Sequence, residues 1–135
     1  MNIEKLVLDL CSYDDEQEWF EFKENWFQPE VLGEYVSALS NAAAFHYKAQ
    51  AYFVWGVNDE THEIVGTTFN QYGDYNKEPY QNFLARNLSP SINFSFEEAV
   101  IDDKRVVVLV IPQQKRSRQL LRKNDTSALV RQKLI

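Results

Sequence analysis

Ala51-Tyr52-Phe53-Val54-Trp55-Gly56-Val57 is a nearly unbroken apolar run, and Val106-Val107-Val108-Leu109-Val110-Ile111 is a second one, stopped by Pro112. Short apolar runs rich in β-branched and aromatic residues predict strands buried on both faces. Two of them in one short chain put a sheet at its centre and require helices to cover it. Outward from there, Trp19-Phe20-Glu21-Phe22-Lys23 alternates, which predicts a strand with Phe20 and Phe22 on one face and Glu21 and Lys23 on the other. Ile92-Asn93-Phe94-Ser95-Phe96 alternates as well, and Asp102-Asp103 supplies the hairpin turn that joins it to the second apolar run. Asn58 to Glu63 makes a polar turn, after which Ile64-Val65-Gly66 reads as a short strand, and Ala128-Leu129-Val130-Arg131 reads as a last edge strand.

Helical spacing fills the gaps. Ile3, Leu6, Val7, Leu10 and Cys11 share one face of a helix over roughly 2–11, which makes Cys11 a core thiol. Pro29 suits the first turn of a helix that continues through Leu32, Tyr35, Val36, Leu39 and Ala43 and ends near His46. A loop over 69–77 leads to Tyr80, Phe83, Leu84 and Leu88, a third helical face. The expected fold class is therefore α/β (α+β): a mixed β-sheet packed with about three helices, in one domain spanning 1–135. The pattern of a strand still running at Leu134-Ile135 leads to the expectation of a domain cut from a longer protein.

With 44% apolar and 14% aromatic residues, 135 residues can fill one core, and neither disorder nor low complexity fits. A single cysteine, Cys11, excludes an internal disulfide and a cysteine-based zinc cluster. No apolar run approaches the roughly 18 residues of a membrane span, and the start has no signal-peptide pattern. The expectation is a cytoplasmic protein with no membrane partner. The net charge of −6 hides a division: nine of the fourteen Lys and Arg lie from Lys104 onward, and seventeen of the twenty acids lie before Asp102. An acidic body with a basic C-terminal third has two readings on composition alone: a polyanionic partner, DNA or RNA, met by Lys115, Arg116, Arg118, Arg122, Lys123 and Arg131, or a solvated tail that stays basic for solubility.

Phosphate-cradling glycine motifs and nucleophile elbows are absent from the sequence, and the two histidines, His46 and His62, have no partner at metal-ligand spacing. What remains is carboxylate chemistry: Glu16, Glu18, Glu21 and Asp59, with Lys23 beside them. Two or three carboxylates suit a hard ion such as Mg²⁺ or Mn²⁺, which can activate water against a phosphodiester. A nearby lysine can orient that water or neutralise developing charge.

Glu16, four residues, then Glu21-Phe22-Lys23; a helix with Leu39-Ser40-Asn41-Ala42; Trp55-Gly56-Val57-Asn58-Asp59; and Ile64-Val65-Gly66 together resemble the Schlafen AlbA_2 domain family over about 14–68. Two departures stand out. The family's Gly-Gly after the helix is replaced by the stretch from Ala43 to Ala49, and its Asp-x-Gly turn lacks the glycine at Asp59-Glu60-Thr61. The resemblance implies a DNA-binding module at the N-terminus of a transcriptional regulator, followed by ATPase-like or winged-helix domains. It also implies, from animal Schlafen proteins, a tRNA- or rRNA-directed endoribonuclease site, whose acids match Glu16, Glu21 and Asp59 here, with Lys23 adjacent. The leading expectation is a nucleic-acid-binding module. The alternatives are a divalent-metal-dependent endoribonuclease with Glu16, Glu21 and Asp59 as ligands, and a non-catalytic oligomerisation domain forming a homodimer. Trp26, Phe27, Phe69 and Tyr72 would mark that interface unless they fill the core, the simpler reading.

Overall fold

Residues 1–15, 17–88 and 92–114 are described by the computed structural model. In chain order the elements are α1 (Ile3–Cys11), β1 (Phe20–Lys23), α2 (Pro29–Phe45), β2 (Gln50–Trp55), β3 (Asp74–Tyr75), β4 (Glu78–Pro79), α3 (Tyr80–Arg86), β5 (Ser95–Ile101) and β6 (Lys104–Pro112). The two apolar runs form the middle of a four-stranded sheet of order β1-β2-β6-β5. β1 joins β2 in parallel, while β2–β6 and β6–β5 are antiparallel. The sheet is mixed, as the sequence predicts.

Local chemistry sets the ends. Asn2 caps α1 by accepting a hydrogen bond from the Lys5 backbone N–H at 3.0 Å, an interaction of about 1 kcal/mol. Pro29 opens α2, where its missing N–H costs nothing. Asp102 and Asp103 turn the β5–β6 hairpin with φ of 51° and 64°, the left-handed pair that a two-residue hairpin needs.

Phe53 on one face of β2 meets Tyr35 of α2 at 5.1 Å between ring centroids and Trp26 at 5.3 Å. On the other face Phe20 meets Tyr13, which follows α1, and Phe22 meets the His62 ring edge-on at 5.0 Å. α1 itself packs along β5. Both central strands are thus covered on both sides, which is why they carry no alternation. Cys11 packs against the core as expected, and its partial burial raises the thiol's pKa. Trp26 and Phe69 also belong with the core, Phe69 stacked on Trp55 at 4.1 Å, while Phe27 and Tyr72 stay exposed.

Four expectations are corrected. Ile64-Val65-Gly66 is not a strand: a single bridge joins Val57 to Ile64, and the N–H groups of Val65 and Gly66 both donate to the Gly56 carbonyl, curling the chain around it. The strand placed at 92–96 begins only at Ser95, because Phe94 N–H turns back to the Ile92 carbonyl at 3.1 Å. The third helix stops at Arg86 and leaves Leu88 outside it, yet buried. The loop over 69–77 contains one arm and the turn of the small β3–β4 hairpin. The edge strand expected at Ala128–Arg131 lies outside the described residues. Among the described residues no helix is long and apolar enough to cross a membrane.

Candidate functional site

β1 is an edge strand, and its alternation sends Glu21 and Lys23 to the face that α2 covers, in register with Phe53 and Trp55. Their side chains are 19% and 23% exposed, so both are half-buried, and Lys23 Nζ lies 3.9 Å from Glu21 Oε2. At the end of β1 the Lys23 carbonyl accepts from the N–H groups of Gly56, at 2.7 Å, and Val57, at 3.3 Å. Those bonds fasten the segment leading to Asp59 onto the end of β1.

Gly56 makes the fastening possible. Its φ is +109°, and a Cβ there would stand 3.1 Å from both the Arg105 carbonyl oxygen and Val106 Cγ1. Gly56→Ala is expected to cost about 1–3 kcal/mol from backbone strain alone and to shift the Asp59 turn. Urea unfolding checks the first effect and amide chemical shifts over 57–63 the second.

The turn after Val57 is closed by Asn58. Its Oδ1 accepts from Glu60 N–H and Thr61 N–H, both at 2.9 Å, and its Nδ2 donates to Glu24 Oε2 at 3.0 Å. Such a side-chain turn is what asparagine does where backbone donors lack partners. Asp59 stands exposed on this turn.

Tyr35 of α2 ties the pieces together. The residue is only 4% exposed, and the Lys23 ammonium lies 5.7 Å from its ring centroid. Burial first, then the negative charges of Glu21 and Asp59, hold its phenol well above the ordinary tyrosine value. Both carboxylates therefore act on one neutral hydroxyl. Tyr35 was legible only as part of the apolar stripe of α2, since a buried tyrosine and a site tyrosine have the same spacing.

Glu21, Lys23 and Asp59 are thus brought to one region by β1, the β2 end and α2. Glu16 lies outside the described residues, as do Lys115, Arg116, Arg118, Arg122, Lys123 and Arg131. Glu18 is turned elsewhere: its carboxylate meets His46 Nε2 at 3.0 Å at the far end of α2. Among the described residues no group of three His, Cys, Asp or Glu side chains converges. The two acids that do share a region offer oxygen donors, and Mg²⁺ is commonly bound through one or two carboxylates plus substrate phosphates.

Gln113 and Gln114, the last described residues before the basic run, are held by bonds to the Ala49, Lys48 and Ser40 backbones. That is the starting end of β2, whereas Asp59 follows its finish. The family model described as Schlafen, AlbA_2 matches residues 16–134, which takes in both carboxylate segments and the basic third but not α1. No curated protein gives a match.

Proposed function

From the premise that the chain belongs to the Schlafen, AlbA_2 family, we propose that it is a nucleic-acid-binding module and works at the N-terminal end of a transcriptional regulator. The observation that carries this reading is the division of charge: residues 104–135 hold nine Lys and Arg against one acid, Asp125. Lys115, Arg116, Arg118, Arg122, Lys123 and Arg131 would contact phosphates, releasing counterions and making affinity fall steeply with salt. Contacts of that kind position a backbone and carry little sequence information. The test is anisotropy of labelled DNA and RNA with the full chain across a salt series. Binding weaker than about 100 μM, beyond the usual non-specific range, or indifferent to salt would refute it.

A second reading, a metal-dependent endoribonuclease, is favoured by the backbone bonds from Gly56 and Val57 to the Lys23 carbonyl, which fasten the segment leading to Asp59 onto the end of the strand that carries Glu21 and Lys23. Glu21 and Asp59, with Glu16 as the third candidate, would hold Mg²⁺ or Mn²⁺. When bound, such an ion activates water and stabilises charge on a phosphodiester. Lys23, half-buried beside Glu21, would neutralise negative charge on the scissile phosphate. Tyr35, kept neutral, would steady the two carboxylates. Glu21→Ala with Asp59→Ala is expected to abolish Mn²⁺-dependent cleavage of structured RNA while leaving binding intact. Equal cleavage by the double variant and the wild type would remove this reading.

A further inference from the structure

We propose that β5 is a docking edge for a second copy of this chain. Two β5 strands pair antiparallel about a two-fold axis at Glu98 and join two four-stranded sheets into one. This goes beyond the nucleic-acid-binding reading and does not depend on it. β5 ends the sheet order β1-β2-β6-β5, so among the described residues only one of its edges is paired.

Hairpin geometry says which backbone groups the other edge offers. A two-residue turn makes Ile101 and Lys104, the residues flanking it, a hydrogen-bonded pair, and such pairs alternate along an antiparallel ladder. Ala99, Glu97 and Ser95 thus bond β6, while the N–H and C=O groups of Phe96, Glu98 and Val100 point away from it. The Arg105 carbonyl, opposite Val100, agrees: it accepts from Thr67 N–H at 2.9 Å instead. Among the described residues no backbone partner meets the three outward-pointing pairs of groups.

Edge strands are usually blunted by lysine, proline, a bulge or a charge. Ser95-Phe96-Glu97-Glu98-Ala99-Val100-Ile101 has no lysine or proline, and its ladder with β6 runs without a bulge. The edge is also self-complementary. A two-fold at Glu98 sets Phe96 opposite Val100 of the second copy, and Glu97 opposite Ala99, on shared faces. Phe96 packs on Trp55 at 5.9 Å between centroids, and Val100 is 61% exposed, so the pairing covers an apolar side chain otherwise in solvent. Glu98 meets its own copy, but that charge is already offset. Its Oε2 accepts from Arg105 Nε at 3.3 Å and its Oε1 from Gln71 Nε2 at 2.7 Å. The acidic turns at Asp102 and Asp103 fall at opposite ends of the contact, beyond the paired span. These matches select a second copy as the occupant. Seven residues of edge make less than the roughly 1,600 Å² of a standard interface. The dimer is therefore expected to be weak, half-formed at on the order of 100 μM.

The test uses the full chain without nucleic acid, so its failure leaves the nucleic-acid-binding reading standing. By analytical ultracentrifugation the wild type should pass from one chain's mass towards two between about 10 μM and about 1 mM. Over the same range amide exchange at Phe96, Glu98 and Val100 should slow severalfold, while Glu97, Ala99 and Ile101, bonded to β6, stay slow throughout. Val100→Lys sets a charge against Phe96 and should weaken association by about tenfold or more. At so exposed a site the variant's thermal midpoint, when dilute, should match the wild type's. Should Val100→Lys unfold, the exchange pattern of the wild type decides alone. A wild type that stays monomeric at about 1 mM overturns the proposal. So does slow exchange at 96, 98 and 100 at every concentration, which means that the edge is covered within one chain. Association that a folded Val100→Lys leaves unchanged overturns it too, by placing the contact elsewhere.

Discussion

Replacing Lys115, Arg116, Arg118, Arg122, Lys123 and Arg131 by glutamine is expected to weaken nucleic-acid binding at least 100-fold at low salt. The log–log salt dependence should flatten by about five, near 0.9 for each of the six phosphates no longer neutralised. Affinity and slope change together only if the cations act by displacing counterions. A loss of affinity with an unchanged slope would mean that the substitutions damaged the fold. The acidic body makes this the variant with the largest functional effect, because nineteen of the twenty acids lie before residue 104 and repel the ligand once the cations are gone. The measurement is anisotropy at several salt concentrations, with circular dichroism to show that the variant is folded.

Trp55→Ala is expected to lower stability by about 3–5 kcal/mol, the range for emptying a large aromatic site. Against a total of about 5–15 kcal/mol for an ordinary domain, that leaves the chain marginal. Trp55 is fully buried, stacked nearly parallel on Phe69 at 6° and 4.1 Å. It donates its indole N–H to the Trp26 carbonyl at 2.8 Å. Truncation opens a large cavity; Trp55→Phe also loses the bond to the Trp26 carbonyl but leaves a much smaller cavity, so it should cost less. Trp55 also pairs with Lys23 across the β1–β2 ladder and precedes Gly56. Its loss should therefore loosen the Glu21–Asp59 region before the β5–β6 hairpin. Urea unfolding gives the first number; hydrogen exchange at residues 20–23 and 57–63 against residues 95–111 gives the order. A loss under 1 kcal/mol would contradict the stack.

Both apolar runs could be read directly as strands because burial on two faces leaves a local signature that needs no partner. The same holds for the alternation of Phe20, Glu21, Phe22 and Lys23, which the structure reproduces as buried and half-buried positions in turn. Where the reading failed, the cause was an interaction between distant segments. Val65 and Gly66 follow the Gly56 carbonyl rather than a ladder, and nothing in their own sequence announces it. Of the aromatics read as core first, Phe69 is core, stacked on Trp55, but Phe27 and Tyr72 stay exposed. At the candidate site the alternation placed Glu21 and Lys23 together, and the strand end placed Asp59. That α2 would bury a tyrosine whose phenol feels both negative charges depends on how the helix crosses the sheet, which spacing does not encode. Tyr47 is the converse: its position after α2 was visible as the loss of the family's glycines, but its left-handed backbone and exposure required coordinates.

The most direct measurement is titration of labelled DNA and RNA with the wild-type chain at about 50 and 200 mM salt, with and without Mn²⁺. Tight binding at low salt that falls by about 10³-fold or more at the higher one is expected of a strand held through the basic third. No binding to either nucleic acid, or an affinity the same at both salts, would contradict a nucleic-acid module.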